Sequence, residues 1–559
     1  MRLALILSAA LIITGGSALL ASSQADQADA PEDRPVHEQI LALLRMQDAA
    51  VTRVFPELHP FQTPFNREAP IPPQCYTKTE GHFNPCYVCH QAAIPGRENV
   101  MNDVDLQVAY SFSDVGMTNH WSNLFEDRTE AVAAISNAEI LEWINEDNYS
   151  ALPARLVAEG FDGWIPDLDN LHLGRDAFDA EGFAKDGSHW VAFNYKPLPS
   201  TFWPTNGSTD DVMIRLAEPF RSSADGAYSR DVYKANLAIA EARLKGFDSI
   251  STLPVDEAKL GTDLDGDGTL GVATRITAVD RWVGAAAGLF NDSYLYPQGT
   301  EFLHTVRYVG IGPDGKITVS PRMKEVRYMR KWTGTMKMSY SRAYQLEHYS
   351  KELGRLPAYA WLGDHGLDNG YGWSVQGFIE GHAGELRTLT YEENLFCMGC
   401  HSSIGATIDK TFSFPRKVDG AAGWGYINLH GMPDAPNIGE TRGEIATYLE
   451  RVGGGGEFRN NPEMARKWLR EDGSADHEAL AGARDVYDLI TPSPGRALLL
   501  NKAYRVIVAE QDYIYGRDAT VMPPQNVHEH IDNDTAETLP AARVFEWDIR
   551  LDWDAQPTL

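Results

Sequence analysis

Cysteine is scarce in this sequence, basic residues are outnumbered, and long apolar runs are missing beyond its first twenty residues. Five cysteines in 559 residues are too few for a disulfide scaffold, and an odd number cannot all pair within one chain. The 49 lysines and arginines face 78 acidic residues, for a formal charge of −29. Such a chain lacks the basic footprint that nucleic-acid phosphates require. No later stretch is long and apolar enough to span a bilayer, which excludes a multi-span membrane protein. An apolar fraction of 43% with 23% charged residues is ordinary for a folded globular chain and excludes a disordered or collagen-like one. At about 150 residues per domain, the length allows three or four domains, or two large ones.

Cysteine is also absent before Cys75, which leaves no site for a bacterial lipid anchor at the start of the mature chain. What stands there is Arg2, an apolar run from Leu3 to Ile13 broken by Ser8, and small residues from Gly15 to Ser23. This is the pattern of a signal peptide over 1–23. It predicts an exported, periplasmic protein with no membrane span after cleavage. Residues 24–35 are acidic and proline-containing and read as a solvated linker.

Apolar spacing predicts a helix over 36–51. A second helical stretch runs from Asp127 to about Ile144, interrupted near Asn137, and Ser229 caps a helix that ends at Gly246. Phe302, His304, Val306 and Tyr308 alternate ahead of the turn Gly312–Gly315, and Ile317 and Val319 alternate after it, which is a β-hairpin signal. Helices are expected again at 438–452, 463–470, 477–490 and 496–511. The division that follows is an N-terminal region 36–150, a β-containing insert 151–385 and a C-terminal region 386–559. The fold class is mainly α with a β-containing insert (α+β).

Four of the five cysteines fall into two pairs, Cys86-Tyr-Val-Cys89-His90 and Cys397-Met-Gly-Cys400-His401. Each reads C-x-x-C-H, the attachment signature of c-type haem. A zinc ribbon would set its pairs about 15–20 residues apart, whereas Cys397 follows Cys86 by 311. A thioredoxin-like motif would not require histidine after both pairs. At these motifs and their flanks the sequence resembles c-type cytochromes. Its architecture is loosely similar to the large dihaem oxidoreductases, the bacterial cytochrome c peroxidases and rubber oxygenases.

The resemblance implies two covalent haems, bound by Cys86, Cys89 and His90 and by Cys397, Cys400 and His401. It also implies His90 and His401 as iron ligands, and cytochrome-type helical regions at both ends. The function so implied is that of an electron-transfer oxidoreductase serving a redox partner protein or a small donor or acceptor. The alternatives are a dihaem enzyme acting on peroxide or oxygen, and a haem-bearing structural subunit of a respiratory complex. No catalytic residue is carried over. Met522, in Thr520-Val-Met-Pro-Pro-Gln525, is a candidate sixth ligand. On the His90 side the candidates are His120, Met117 and His82. Cys75 reads as a partly buried thiol without a role.

Two further features stand apart. Asp263, Asp265, Asp267 and Thr269 match the first half of an EF-hand loop and are candidate calcium ligands. Position 12 is Thr274 where a glutamate belongs, and an Asp/Gly turn is the other reading. The segment 322–342 gathers Arg322, Lys324, Arg327, Arg330, Lys331, Lys337 and Arg342 against Glu325. It reads as a solvated strand face, with an arginine clamp for an anion as the alternative.

Overall fold

The computed structural model describes residues 71–557, apart from 98–99, 113–114, 335, 354–356 and 454. The expected signal peptide, linker and helix 36–51 lie outside the described residues.

Ten strands follow in chain order: β1 (Val191–Ala192), β2 (Thr209–Arg215), β3 (Ile250–Asp256), β4 (Val272–Ile276), β5 (Glu301–Ile311), β6 (Ile317–Lys331), β7 (Ala360–Trp361), β8 (Leu367–Asp368), β9 (Trp373–Glu380) and β10 (Leu386–Thr388). Eight of them form one sheet in the order β1-β2-β5-β6-β9-β8-β7, with β10 on β9, while β3 and β4 pair by themselves. All the pairings are antiparallel. The β5–β6 hairpin is the one predicted, paired from Glu301 opposite Arg330 to Ile311 opposite Ile317, with the register shifting around Arg307. Its turn closes where Gly315 takes φ +74°, a conformation that glycine adopts without steric cost.

The main helices are α1 (Asn137–Ile144), α2 (Leu152–Glu159), α3 (Arg230–Lys245), α4 (Lys337–Glu352), α5 (Glu444–Val452) and α6 (Pro494–Glu510). Ser136 and Glu139 form a capping box that starts α1, which explains the break read near Asn137. Ser229 caps α3, and Gly246 ends it in the left-handed region. Of the later helices, the one read at 438–452 begins at Glu444. The one read at 477–490 is two short helices, His477–Ala481 and Val486–Ile490. The helix α6 packs across β5, where Asn501 accepts from the Val309 amide at 3.1 Å and donates to the Val309 carbonyl at 2.8 Å.

The fold class is corrected accordingly. An eight-stranded sheet organises the chain, and it is not mainly α. Nor do the cysteine motifs ride on helical regions of cytochrome type. Cys86–Val88 is a single 3-10 turn, and Phe396–Gly399 is another, following the five-residue helix Tyr391–Leu395. Sequence periodicity understated the strands for a physical reason. Strands β1, β7, β8 and β10 span only two or three residues, too short to show a period.

The solvated-face reading of 322–342 is also corrected. Arg322, Lys324 and Lys331 are buried. Arg322 pairs with Glu380 and lies 3.5 Å over the Trp143 ring, and Lys331 pairs with Asp409 at 2.5 Å.

Candidate functional site: two adjoining cysteine–histidine cavities

Both cysteine motifs fold into the same turn. The Cys89 and His90 amides donate to the Cys86 carbonyl at 3.1 and 2.9 Å, and those of Cys400 and His401 donate to the Cys397 carbonyl at 3.2 and 3.0 Å. Each turn brings its two thiols and the following imidazole to one cavity wall. The rings are then fixed from behind. His90 Nδ1 lies 2.7 Å from an Asp103 carboxylate oxygen, and His401 Nδ1 lies 2.8 Å from the Lys410 carbonyl. A ring nitrogen facing such an acceptor carries a proton, which fixes the orientation of both rings. Burial pushes the His401 pKa down to about 4, so this ring is neutral at physiological pH.

Although distant in sequence, the two segments are bonded to each other. The Ala406 amide donates to the Cys89 carbonyl at 2.9 Å. Gln91 Nε2 donates to the Gly405 carbonyl at 2.8 Å, and the Gly405 amide donates to Asp103 at 3.0 Å. Downstream, Asp409 and Lys410 both sit at positive φ, +49° and +63°. That conformation costs non-glycine residues energy and persists where the surroundings over-determine it. Here the Asp409 carboxylate accepts from the Tyr296 amide at 2.7 Å and from Lys331 at 2.5 Å. The Lys410 ammonium meets the rings of Tyr344 and Tyr371, each at 4.3 Å. The strained pair is what aims the Lys410 carbonyl at His401.

The first cavity, of about 1600 Å³ with its mouth included, is lined by Cys397, Cys400 and His401 together with Phe302, Met329 and Phe396. The second, of about 1470 Å³, is lined by Cys75, Cys86, Cys89 and His90. They share Leu198, Thr201, Phe202 and Cys400 as a common wall. No disulfide joins any of the five cysteines. Burial pushes the Cys86 thiol up to about 12 and Cys400 up to about 11. At neutral pH these are thiols rather than the nucleophilic thiolates of a redox centre.

Among the described residues, the group of three close enough to hold a metal ion is Glu257, Asp263 and Asp265. The structure thus joins two of the predicted calcium ligands to a buried glutamate that sequence spacing missed. Their oxygens also accept hydrogen bonds within the loop. Asp263 accepts from the Gly266 and Gly268 amides at 2.7 and 2.9 Å, and Asp267 accepts from the Thr269 amide and hydroxyl, both at 2.7 Å. Glu257 accepts from the Leu264 and Gly271 amides at 2.6 and 3.0 Å. These contacts are those of an Asp/Gly turn.

The other predicted residues scatter. Met522 is 56% exposed, and neither it nor His120, Met117 or His82 lines either cavity. Cys75, read as roleless, lines the second. Sequence reasoning missed Tyr195, Asp210 and His304, which line the first. The signal for His304 was available, because the β5 alternation sets it on the same face as Phe302 and Val306.

The geometry defines a sheet-centred protein in which two Cys–His turns close paired cavities. A family model described as "-like lipoprotein" matches residues 58–487, and the chain belongs to that family. A relative from Aquifex aeolicus (strain VF5), named "Uncharacterized lipoprotein", is 32% identical over 513 residues, covering 81% of this chain and 86% of the relative. No solved structure matches. Membership makes this an exported protein. Among the described residues no helix is long and apolar enough to cross a membrane.

The family also corrects the functional reading. The matched span contains both motifs, and the assignment is to lipoproteins, not to c-type cytochromes, cytochrome c peroxidases or rubber oxygenases. The electron-transfer, dihaem-enzyme and respiratory-subunit readings, with their two haems, lose the resemblance that carried them. A five-residue pattern dictates a local turn, and here that turn sits in a different architecture.

Proposed function

We propose that this is a periplasmic binding protein that holds one bulky, largely apolar ligand in each of its two cavities. Cys86, Cys89 and His90 contact the ligand in the second cavity, and Cys397, Cys400 and His401 contact it in the first. The observation that carries this reading is the convergence of two like turns, 311 residues apart in the chain, onto cavities that share one wall. Large, mostly apolar concavities with a few fixed polar groups are how proteins take small molecules. Arg517 Nε and Asp518 Oδ2, both buried at the edge of the first cavity, have no hydrogen-bond partner within the protein. Buried polar atoms of this kind are ordinarily satisfied, and a ligand's polar end would do so.

The test is native mass spectrometry on the chain recovered from the periplasmic fraction. Two ligand equivalents above the polypeptide mass are expected. A bare polypeptide, or a chain confined to the cytoplasm, overturns the reading.

A further inference from the structure

The first cavity contains a second histidine, His304, in the same lining as His401. His304 stands on β5 with its Nε2 3.2 Å from an Asp210 carboxylate oxygen, and the Tyr195 hydroxyl donates to that same oxygen. All three residues line the cavity, and all three are positioned by backbone. His304 is in register with Val212 on β2 and with Arg327 on β6, and Asp210 stands on β2 opposite Val306. A sheet register holds side chains more tightly than a loop does. The Asp210 side chain is 7% exposed, so it is a buried carboxylate that gains from a cation beside it. With Nε2 donating to Asp210, Nδ1 is the ring's proton acceptor.

We propose that His304, held by Asp210 and Tyr195, takes the proton of a weakly acidic hydroxyl on an apolar ligand of the phenol class in the first cavity. This rests on that cavity being a ligand site. The ligand's O–H bond breaks and the proton passes to His304 Nδ1. The electron pair stays on the ligand oxygen as an oxyanion. The imidazolium then pairs with Asp210, and Arg517 in the same lining, whose Nε has no hydrogen-bond partner within the protein, offers that N–H to the oxyanion. The apolar walls, Phe302, Val306, Met329 and Phe396, suit an aromatic body. Besides Asp210 and Tyr195, the lining holds His401, Lys324, Glu325, Arg327 and Arg517, with Arg416 paired to Glu444 and Arg459 to Asp518. Arg327 opposes a second positive charge, but its guanidinium is engaged by Glu325 at 2.8 Å. His401 is neutral and adds none.

The probe is p-nitrophenol, which changes colour on ionisation, added to the full exported chain at a pH below its own ionisation point. Equilibrium dialysis measures binding, and difference absorbance measures the phenolate fraction. Bound probe should show about tenfold more phenolate relative to phenol than free probe, the ratio that one unit of pKa shift produces. His304→Gln and Asp210→Asn should still bind the probe and return that ratio to its free value. Two variants are used so that one failing to fold leaves the other to decide. Binding without ionisation, or ionisation unchanged in a folded variant, overturns the proton transfer alone. No binding by the parent chain takes down the first cavity as a ligand site, and this inference with it.

Discussion

Asp103 shows how much one side chain can organise here. Its two oxygens accept from His90 Nδ1, from the Gln91 amide at 3.0 Å and from the Gly405 amide at 3.0 Å, so it orients one imidazole while tying the second motif's turn to the first. Replacing it with alanine strands buried donors, each costing about 1–3 kcal/mol. Asp103→Ala should lower unfolding stability by about 3 kcal/mol, read from urea melts. His401 makes a second prediction at this scale. Its folded pKa of about 4 lies below the ordinary 6.5, so between those values the unfolded chain binds more protons than the folded one. The stability it contributes is complete above pH 6.5 and is lost as pH falls through 4. The loss amounts to about 3 kcal/mol. Denaturation curves across that window should be flatter for His401→Gln than for the parent. The motifs themselves were fully legible in the sequence. The partners that fix their rings, Asp103 and Lys410, were not, because nothing local marks an acceptor 13 or 9 residues away.

At the scale of elements, legibility followed burial. The β5–β6 hairpin, the cap at Ser229 and the break near Asn137 obey local rules and are legible in the sequence. Strands of two or three residues such as β7, β8 and β10 carry no period to read. The helix α3 is the opposite case. It is nearly surrounded by protein, yet it buries Glu241, which accepts from Lys245, from Lys417 at 2.7 Å and from the Gly420 amide at 3.0 Å. Burial lowers the Lys417 pKa to about 8, so its charge depends on that carboxylate. Glu241→Ala leaves two buried ammonium groups without their shared partner and should cost about 3–5 kcal/mol, measured by thermal or chemical unfolding. An effect below about 1 kcal/mol would show the network to be dispensable.

For the whole molecule, the consequential fact is a juxtaposition that no local pattern announces. Two turns 311 residues apart become neighbours, linked by the Ala406–Cys89 and Gln91–Gly405 bonds. The sequence showed that the turns were alike but not that they meet, because their meeting depends on a sheet whose strands were mostly illegible. It also explains why a reading by motif alone went astray: two short patterns were taken to define helical regions at either end, where the chain instead builds a central sheet and paired cavities. The paired-cavity account is tested most directly by native mass spectrometry of the exported chain beside His90→Ala and His401→Ala. The account predicts two ligand equivalents in the parent and one in each variant, because each imidazole serves its own cavity. The same ligand count in all three chains, or none in the parent, would contradict it.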